Sequence, residues 1–196
     1  MENIEKSYDL IEKNSFGIVF STNKGQSVAT HLPLILDRDT GYLYGHFARL
    51  NTQWEEIKDQ EILIVFHGPH HYISSSWYET NMSVPTWNYT AVHVYGAIEL
   101  MSDAEELLET LNNMLKKYED SNSSYRLDGT NQELIEGLMK GIVGFKLKIN
   151  RIEGKSKLSQ NHSRERQELV IDKLMQIRND NAQEIAQLMK ENIREM

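Results

Sequence analysis

The spacing of apolar residues along this chain switches between period two, typical of half-buried strands, and the 3.6-residue period of an amphipathic helix. Strands are predicted at residues 17–22, 27–36, 42–47, 62–66, 88–100 and 142–152. Helices are predicted at residues 7–14, 52–58, 102–118, 130–141, 164–177 and 181–194. This mixture favours the α+β class, mainly β, with an antiparallel barrel and peripheral helices.

Turn and proline signals suggest how the first strands are connected. Residues 23–25 and 37–41 are turn sequences, so the first three strands are expected to form an antiparallel meander. Pro33 cannot donate a hydrogen bond to a neighbouring strand, which predicts that the second strand is bulged or lies at an edge there. The Gly68-Pro69 pair is expected to end the strand at 62–66.

The stretch from Phe66 to Leu100 is unusual for a connection between strands. It holds four of the seven histidines, two of the three tryptophans and few charged residues. An aromatic-rich segment of this kind is expected to cover a flat ligand or another subunit. The alternative interpretation is that its aromatic residues pack a corner of the barrel, because such residues are enriched in strands.

Length and composition limit the class of protein. A chain of 196 residues is sufficient for one domain and an appendage, predicted at 1–162 and 163–196, with the helical appendage packing on the barrel or on a dimer partner. The absence of cysteine excludes a disulfide framework, a thiolate nucleophile and a zinc–thiolate site. There is no signal-peptide pattern and no apolar run of about 20 residues, so we expect a cytoplasmic protein without a membrane span.

The distribution of charge gives two further indications. The net charge of −8 argues against nonspecific wrapping of nucleic acid, and residues 163–196 carry six basic and seven acidic side chains, a poor composition for DNA recognition. By contrast, residues 145–164 contain six basic residues and one acidic residue. This local excess indicates either a confined anionic ligand, such as a phosphate, or a solvated strand edge on which lysines discourage aggregation.

One block of sequence has the chemistry of a phosphate site. Residues 45–51, Gly-His-Phe-Ala-Arg-Leu-Asn, are expected to lead from a strand into a helix with Asn51 as its N-cap. Amides of a first helical turn attract anions, and Arg49 can bind two phosphate oxygens at once. No nucleophile elbow, Walker loop or dinucleotide fingerprint is present. A metal site is not expected, because His70 and His71 are adjacent on extended backbone and point to opposite faces.

Five blocks of sequence carry a family resemblance. They are Ala29–Pro33, Gly45–Asn51, Tyr72–Tyr78, Val84–Tyr89 and Lys157–Asn161. Together and in this order they resemble the PaiB family, bacterial proteins described as negative transcriptional regulators with an FMN-binding domain. The resemblance covers nearly the whole chain. It implies an FMN-binding split β-barrel related to pyridoxamine-phosphate oxidase, a fold that usually dimerises with two FMN sites at the subunit interface.

The resemblance also implies roles for individual residues. The strand segment that would line the isoalloxazine ring with backbone groups consists of Thr30, His31, Leu32 and Pro33. The ribityl phosphate would be held by His46, Arg49 and Asn51. The ring or the dimer seam would be covered by Trp77, Trp87 and Tyr89. The site would be closed by Lys157, Ser159, Gln160 and Asn161.

Three functions follow as hypotheses. The resemblance implies a homodimeric FMN-binding protein that represses transcription, of the type that regulates sporulation and protease genes, with DNA as a partner that the charge does not support. The first alternative is an oxidoreductase that uses FMN as its electron carrier. The second is a module that binds haem or another planar anion, with His31, His46 or His93 as axial ligand.

Overall fold

The computed structural model describes residues 4–80, 82–127 and 131–195. Within these residues, seven strands form one antiparallel sheet in the order β2-β1-β5-β6-β7-β4-β3. The strands are β1 (Phe16–Asn23), β2 (Gln26–Pro33), β3 (Ile35–Asp37), β4 (Tyr42–Ala48), β5 (Ile62–Ile73), β6 (Thr86–Leu100) and β7 (Ile142–Lys157). The predicted α+β class with a mainly antiparallel β-structure is confirmed.

Six α-helices and a short 3₁₀ helix at Ser75–Trp77 accompany the sheet in the described part of the chain. The α-helices are α1 (Ile4–Lys13), α2 (Gln53–Glu56), α3 (Ala104–Tyr118), α4 (Gln132–Met139), α5 (Arg164–Gln176) and α6 (Asp180–Glu195). Side-chain caps explain where two of them begin. Asp103 accepts a hydrogen bond from the Glu105 amide at the start of α3, and Ser163 accepts from the Arg166 amide at the start of α5.

The two strands at the ends of the sheet order are consecutive in the chain. Leu34 alone separates β2 from β3, and its amide donates a 2.9 Å hydrogen bond to the carbonyl of Ser15. Because consecutive residues cannot lie at distant edges, the sheet must curl until its two ends approach each other. The strand order and this junction therefore define a split β-barrel.

Two compact units can be distinguished among the described residues. The barrel unit comprises residues 4–66 and 93–153, and the helical unit comprises residues 67–92 and 154–195. The strands β5, β6 and β7 each contribute to both units. The division into a domain of residues 1–162 and an appendage of residues 163–196 stays a prediction.

Alternating residues of the strands fill the interior of the barrel unit. Val19, Leu43 and Phe47 are fully buried, as the period-two pattern predicts. The rings of Phe47 and Phe145 lie 4.9 Å apart. A side chain at Gly45 would come within 2.9 Å of the Phe145 ring, so the glycine leaves room for that ring in the core.

The helical unit has an apolar core of its own. The core is formed by the end of β5, the segment that follows the 3₁₀ helix, the residue after β7, and the helices α5 and α6. Its buried residues are Ile73, Tyr78, Leu158, Val170, Ile171, Leu174, Ala182, Ile185, Ala186 and Met189. The α6 members recur at helical spacing, so the predicted apolar face of this helix is covered within the unit.

Two strands are longer than the sequence predicts. The strand β5 continues through the Gly68-Pro69 pair, and β7 continues past Ile152. The amide of His70, which follows the proline, is satisfied by a side chain and not by a neighbouring strand, because it donates to Asn181 Oδ1, 3.2 Å away. The prediction of a strand end at Gly68-Pro69 was therefore wrong.

The predicted meander of the first strands is also wrong. The stretch 27–36 breaks after Pro33, so β2 pairs with β1 whereas β3 pairs with β4. Pro33 lies in a strand at the end of the sheet order, which confirms the edge position inferred from its missing amide proton. Thr130, the first residue of the predicted helix 130–141, lies outside the described residues.

Lys146 and Lys148 of the basic segment 145–164 do not lie on a strand edge, because β7 is paired with β4 at these residues. Lys146 forms a 2.9 Å ion pair with Glu106. The guanidinium of Arg151 lies 3.6 Å from the ring centroid of Tyr95. These cations bind neighbouring groups in the barrel unit, so part of the local charge excess has a structural role.

No helix among the described residues is both long enough and apolar enough to cross a lipid bilayer.

Candidate functional site

In the barrel unit, a hydrogen-bond network joins two of the predicted site residues. The side-chain amide of Asn51 donates to Thr30 Oγ1 over 2.8 Å, and Thr30 Oγ1 donates to Gln53 Oε1 over 2.5 Å. Asn51 Oδ1 also accepts from the Gln53 amide. The prediction of Asn51 as N-cap is wrong, however, because the single-turn helix begins after Thr52 and has no side-chain cap. The buried Gln53 side chain donates in turn to the carbonyl of Val19 and the hydroxyl of Ser21. The network ties the chain after β4 to β1 and β2.

Arg49 follows β4, and part of its guanidinium is engaged by the protein itself. Nε donates to the carbonyl of Lys140 over 2.6 Å, and Nη2 donates to the carbonyl of Ile142 over 2.8 Å. The Nη1 amino group has no hydrogen-bond partner among the described residues, and the side chain is exposed. Because two carbonyls fix its orientation, Arg49 can bind an anion with little further loss of entropy.

The helix-dipole argument for a phosphate at this position does not hold. The predicted helix 52–58 is a single turn, Gln53–Glu56, which is too short to develop a macrodipole. Any anion bound after β4 must therefore be held mainly by side chains and individual amides. Among the predicted residues, Arg49 is the group best suited to that task.

The strand β4 also carries a buried nitrogen without a partner. His46 is half-buried, and its Nδ1 atom makes no hydrogen bond to the described residues. Burial disfavours the charged imidazolium and lowers the pKa of His46 below its ordinary value. Buried polar atoms are normally satisfied, so an unpartnered nitrogen in this strand is a candidate contact for a ligand.

The burial of His46 predicts how the stability of the flavin-free protein depends on pH. Above about pH 6.5 the imidazole is neutral in both the folded and the unfolded states, whereas at lower pH the unfolded chain takes up the proton first. The free energy of unfolding therefore falls as the pH decreases below about 6.5. We expect His46→Gln to reduce the loss of Tm between about pH 7.5 and pH 5.5 in calorimetry.

A matched control for this titration is His31→Gln, since His31 is exposed on β2. We expect the control to retain the acid sensitivity of the unsubstituted protein. An identical pH dependence in the His46 variant and the unsubstituted protein would show that His46 does not contribute.

The other predicted residues of the barrel unit lie along β2 in different environments. The ring of the exposed His31 lies 5.9 Å from that of Phe16, and Leu32 belongs to the core. Pro33 is paired with Phe16 in β1. Because β2 ends the sheet order, one side of its backbone is free of sheet pairing, so this strand can offer main-chain groups to a ring edge.

In the helical unit, β5 and β6 present an aromatic surface. The Trp87 ring lies 6.1 Å from that of His70 and 6.0 Å from that of Tyr72. We call these three residues, with Tyr89 at the next period-two position of β6, the aromatic face. Trp87 is 53% exposed and Tyr72 is 43% exposed. So much exposed aromatic area is typical of a surface that another molecule covers.

Trp77 does not belong to the aromatic face. It lies in the 3₁₀ helix, where its ring stacks on His71 at a centroid distance of 6.4 Å and packs against the core of the helical unit. His71 alternates with His70 along β5, so the two rings meet different neighbours. In the described ranges, no three His, Asp or Glu side chains are grouped to hold a metal ion.

The last residue of β7 and the turn after it contact the other side of β6. Lys157 Nζ is hydrogen-bonded to Thr86 Oγ1, and the Asn88 side-chain amide donates to Ser159 Oγ over 3.0 Å. Thr86 and Asn88 alternate with Trp87 along β6, so their partners lie opposite the aromatic face. Ser159 is buried and has a φ of 63°, which shows that this tight turn is held by its surroundings.

Gln160 and Asn161 complete this turn. Gln160 Oε1 accepts from the Leu158 amide over 2.7 Å, and its Nε2 donates to the carbonyl of Ser156 over 2.9 Å. Asn161 is exposed. The side chains of Ser159 and Gln160 therefore make hydrogen bonds that stabilise the local fold, whereas Asn161 is exposed to solvent.

The predicted site residues thus form two groups, one in each unit. Residues that the sequence analysis missed complete both groups: Gln53 in the barrel network, and His70 and Tyr72 on the aromatic face. The period-two relation of His70 and Tyr72 was visible in the sequence. This spacing could not be interpreted as a shared strand face, because the strand was expected to end at Gly68-Pro69.

Comparison with known proteins agrees with this architecture. Residues 1–151 match the family model described as "Putative FMN-binding domain". The FAD and heme binding protein of Mycobacterium smegmatis superposes with a TM-score of 0.64 at 13% identity, covering 85% of this chain and 77% of that one. The flavocytochrome Anf3 of Azotobacter vinelandii gives 0.62 at 14% identity, covering 80% and 68%. These two likenesses show the fold, a split barrel of the class found in flavin-binding proteins.

The chain belongs to the PaiB family, as the sequence blocks predict. It is 42% identical to "Protease synthase and sporulation protein PAI 2" of Bacillus subtilis strain 168, over 98% of this chain and 94% of the relative. Similarity over nearly the whole of both chains means that the helical unit, and not only the barrel, has a counterpart in that protein.

Proposed function

We propose that this protein is a homodimeric FMN-binding split-barrel protein that acts as a negative regulator of transcription. The observation that carries the proposal is the match of residues 1–151 to a family described by FMN binding. The Bacillus subtilis relative is named "Protease synthase and sporulation protein PAI 2", and the reference to sporulation supports a regulatory role.

The phosphate of FMN would be bound at the end of β4. Arg49 supplies an oriented amino group with no partner in the described chain, and His46, three residues earlier in the chain, supplies an unpartnered nitrogen. The Thr30–Asn51–Gln53 network would keep this segment rigid. The side-chain nitrogen and the side-chain oxygen of Asn51 already make hydrogen bonds within the protein. We therefore assign Asn51 to positioning Arg49 and not to direct contact with the phosphate.

The isoalloxazine ring would lie against the backbone of β2 and would be covered by the aromatic face of a second subunit. A flat ring system gains from stacking on Trp87 and Tyr72, whose exposed area in one chain favours a partner. When bound, FMN would supply one- and two-electron redox chemistry. The protein's own contribution would be to bind, orient and shield the ring.

DNA contact, if it is direct, would have to be confined to a small surface. The net charge is −8, and Lys146 and Arg151 of β7 are engaged by Glu106 and by the ring of Tyr95. A protein with this charge gains little from counterion release. We therefore favour regulation in which the flavin or its redox state controls a limited contact with a promoter or with another protein.

The test is the absorbance spectrum of the purified protein after incubation with FMN and desalting, combined with its mass in solution. The proposal expects about one flavin per chain and a dimer. A second arm is a gel shift on promoter DNA at increasing salt, with and without FMN. Retained flavin with rapid oxidation of a reduced nicotinamide would favour an oxidoreductase instead, and failure to retain flavin would refute the cofactor assignment.

A further inference from the structure

The barrel unit contains a large apolar cleft that shares only Arg49 with the proposed flavin site. The cleft has a volume of about 910 Å³ and lies between α3, α4 and the first residues of β7. Its apolar lining includes Leu100, Leu107, Leu108, Ile135, Met139 and Val143. A volume of this size lies at the upper end of the range of roughly 300–1,000 Å³ that is typical of small-molecule sites.

The helix α4 lines this cleft with one face and is exposed on the other. Ile135 is 7% exposed and lines the cleft together with Met139, whereas Leu134 and Leu138 on the same helix are 56% and 58% exposed. Met101, from the strand end facing α3, also lines the cleft. Methionine side chains adapt to ligands of irregular or variable shape, so two of them in one lining favour a flexible apolar ligand.

One end of the cleft carries an unpaired cation. Lys140 directly follows α4 and lines the cleft, and its ammonium group has no ion pair or hydrogen bond within the described ranges. Its carbonyl accepts the 2.6 Å hydrogen bond from Arg49 Nε, which fixes the main chain at this end. An anionic ligand group could therefore pair with a cation that has no other partner.

The remaining charges limit the ligand to a single anionic group. The lining contains the cations Arg49 and Lys140, and the acids Asp103, Glu105 and Glu136. A ligand with several negative charges would place some of them near these acids, which is unfavourable. A ligand with one terminal carboxylate and an otherwise apolar body avoids that repulsion.

We propose that this cleft binds a molecule with one long alkyl chain and a terminal carboxylate. The chain lies against the leucine, isoleucine and methionine side chains, and the carboxylate pairs with Lys140. Affinity should rise with chain length, by up to about fourfold for each methylene removed from water. The site shares Arg49 with the flavin proposal and is otherwise formed by different residues.

The experiment is a fluorescence titration of the full-length protein with a dansyl-labelled undecanoic acid, with and without saturating FMN. We expect saturable binding at one site per chain that FMN does not displace. Unlabelled palmitate should compete more strongly than laurate, and laurate more strongly than octanoate. Absence of saturable binding would overturn the proposal, as would competitive displacement by FMN, which would assign the cleft to the flavin site.

Two neighbouring residues of α4 provide a matched pair of variants. Met139→Trp fills the cleft and should weaken probe binding by about tenfold or more, whereas Leu138→Trp adds the same bulk on the exposed side and should change it less than about twofold. Equal effects of the two substitutions would overturn the proposed location. The Tm of each variant verifies that both remain folded.

Lys140→Ala tests the position of the carboxylate. We expect it to weaken binding of the carboxylate probe by about tenfold and to leave competition by hexadecanol unchanged. Unchanged affinity for the carboxylate would overturn its assignment to Lys140. Loss of affinity for the alcohol as well would show that the substitution collapses the cleft rather than removing a charge partner.

Discussion

Arg49→Ala is expected to lose FMN during desalting under conditions in which the unsubstituted protein retains it. A charge-assisted hydrogen bond to a phosphate contributes about 1.5–3 kcal/mol, so the Kd for FMN should rise by roughly 10- to 150-fold. The orientation of the guanidinium by the carbonyls of Lys140 and Ile142 favours the upper part of this range, because little entropy is lost on binding. Calorimetric titration of the flavin-free proteins measures the difference.

The same substitution also removes two hydrogen bonds that join the end of β4 to the start of β7. A loss of FMN affinity caused by a local structural change must therefore be distinguished from one caused by the missing phosphate contact. Riboflavin lacks the phosphate and provides that separation: its affinity should change less than about threefold in Arg49→Ala. The matched arginine control is Arg38→Ala, since Arg38 instead binds Glu5, Asp9 and Glu12 of α1. Equal losses of FMN and riboflavin affinity would contradict phosphate binding by Arg49.

The sequence was sufficient to predict those elements in which one face of a strand is buried. Val92 and Val94 are fully buried as the alternation in β6 requires, and Leu43 and Phe47 are likewise buried in β4. Burial of one face imposes period two on the sequence, so the pattern and the structure report the same constraint. The position of Pro33 at a sheet edge could be inferred for an equally local reason, the missing amide proton.

Elements stabilised by distant residues could not be predicted in the same way. The strand β5 passes Gly68-Pro69 with the amide of His70 bonded to Asn181, a residue 111 positions away. Propensity rules describe what a segment does alone, and they fail where a partner elsewhere in the chain satisfies the backbone. The break at Leu34, whose amide bonds to Ser15, is another example.

The candidate site shows the same limit at the level of side chains. The sequence blocks identified the family and its cofactor class, because the residue types themselves carry that information. The hydrogen-bond partners of these residues could not be predicted from the sequence. Arg49 is held by carbonyls 91 and 93 positions away, and Ser159 is bonded to Asn88, 71 positions away. Which donors remain free for a ligand depends on these partners, so only the three-dimensional structure could separate the exposed Trp87 from the packed Trp77.

Phe145→Ala is expected to cause the largest loss of stability of any substitution considered for the barrel. The side chain is fully buried, and its ring lies 4.9 Å from that of Phe47. Truncating a buried phenylalanine to alanine costs about 3–5 kcal/mol, because apolar area is lost and a cavity remains. Gly45 beside the ring has no side chain that could fill that cavity. Denaturant unfolding of the flavin-free protein, with m-values compared, measures the change.

The matched control is Phe16→Ala, in which the same atoms are removed from a ring that is 63% exposed. Surface substitutions of this kind usually change the free energy of unfolding by less than about 0.5 kcal/mol, so the two variants should differ several-fold in their effect. A loss below about 1 kcal/mol for Phe145→Ala would contradict a close-packed barrel interior. Phe145 lies in the barrel unit, so the unfolding curve of this variant also reports on the helical unit. A single transition for the whole chain would show that the two units unfold cooperatively.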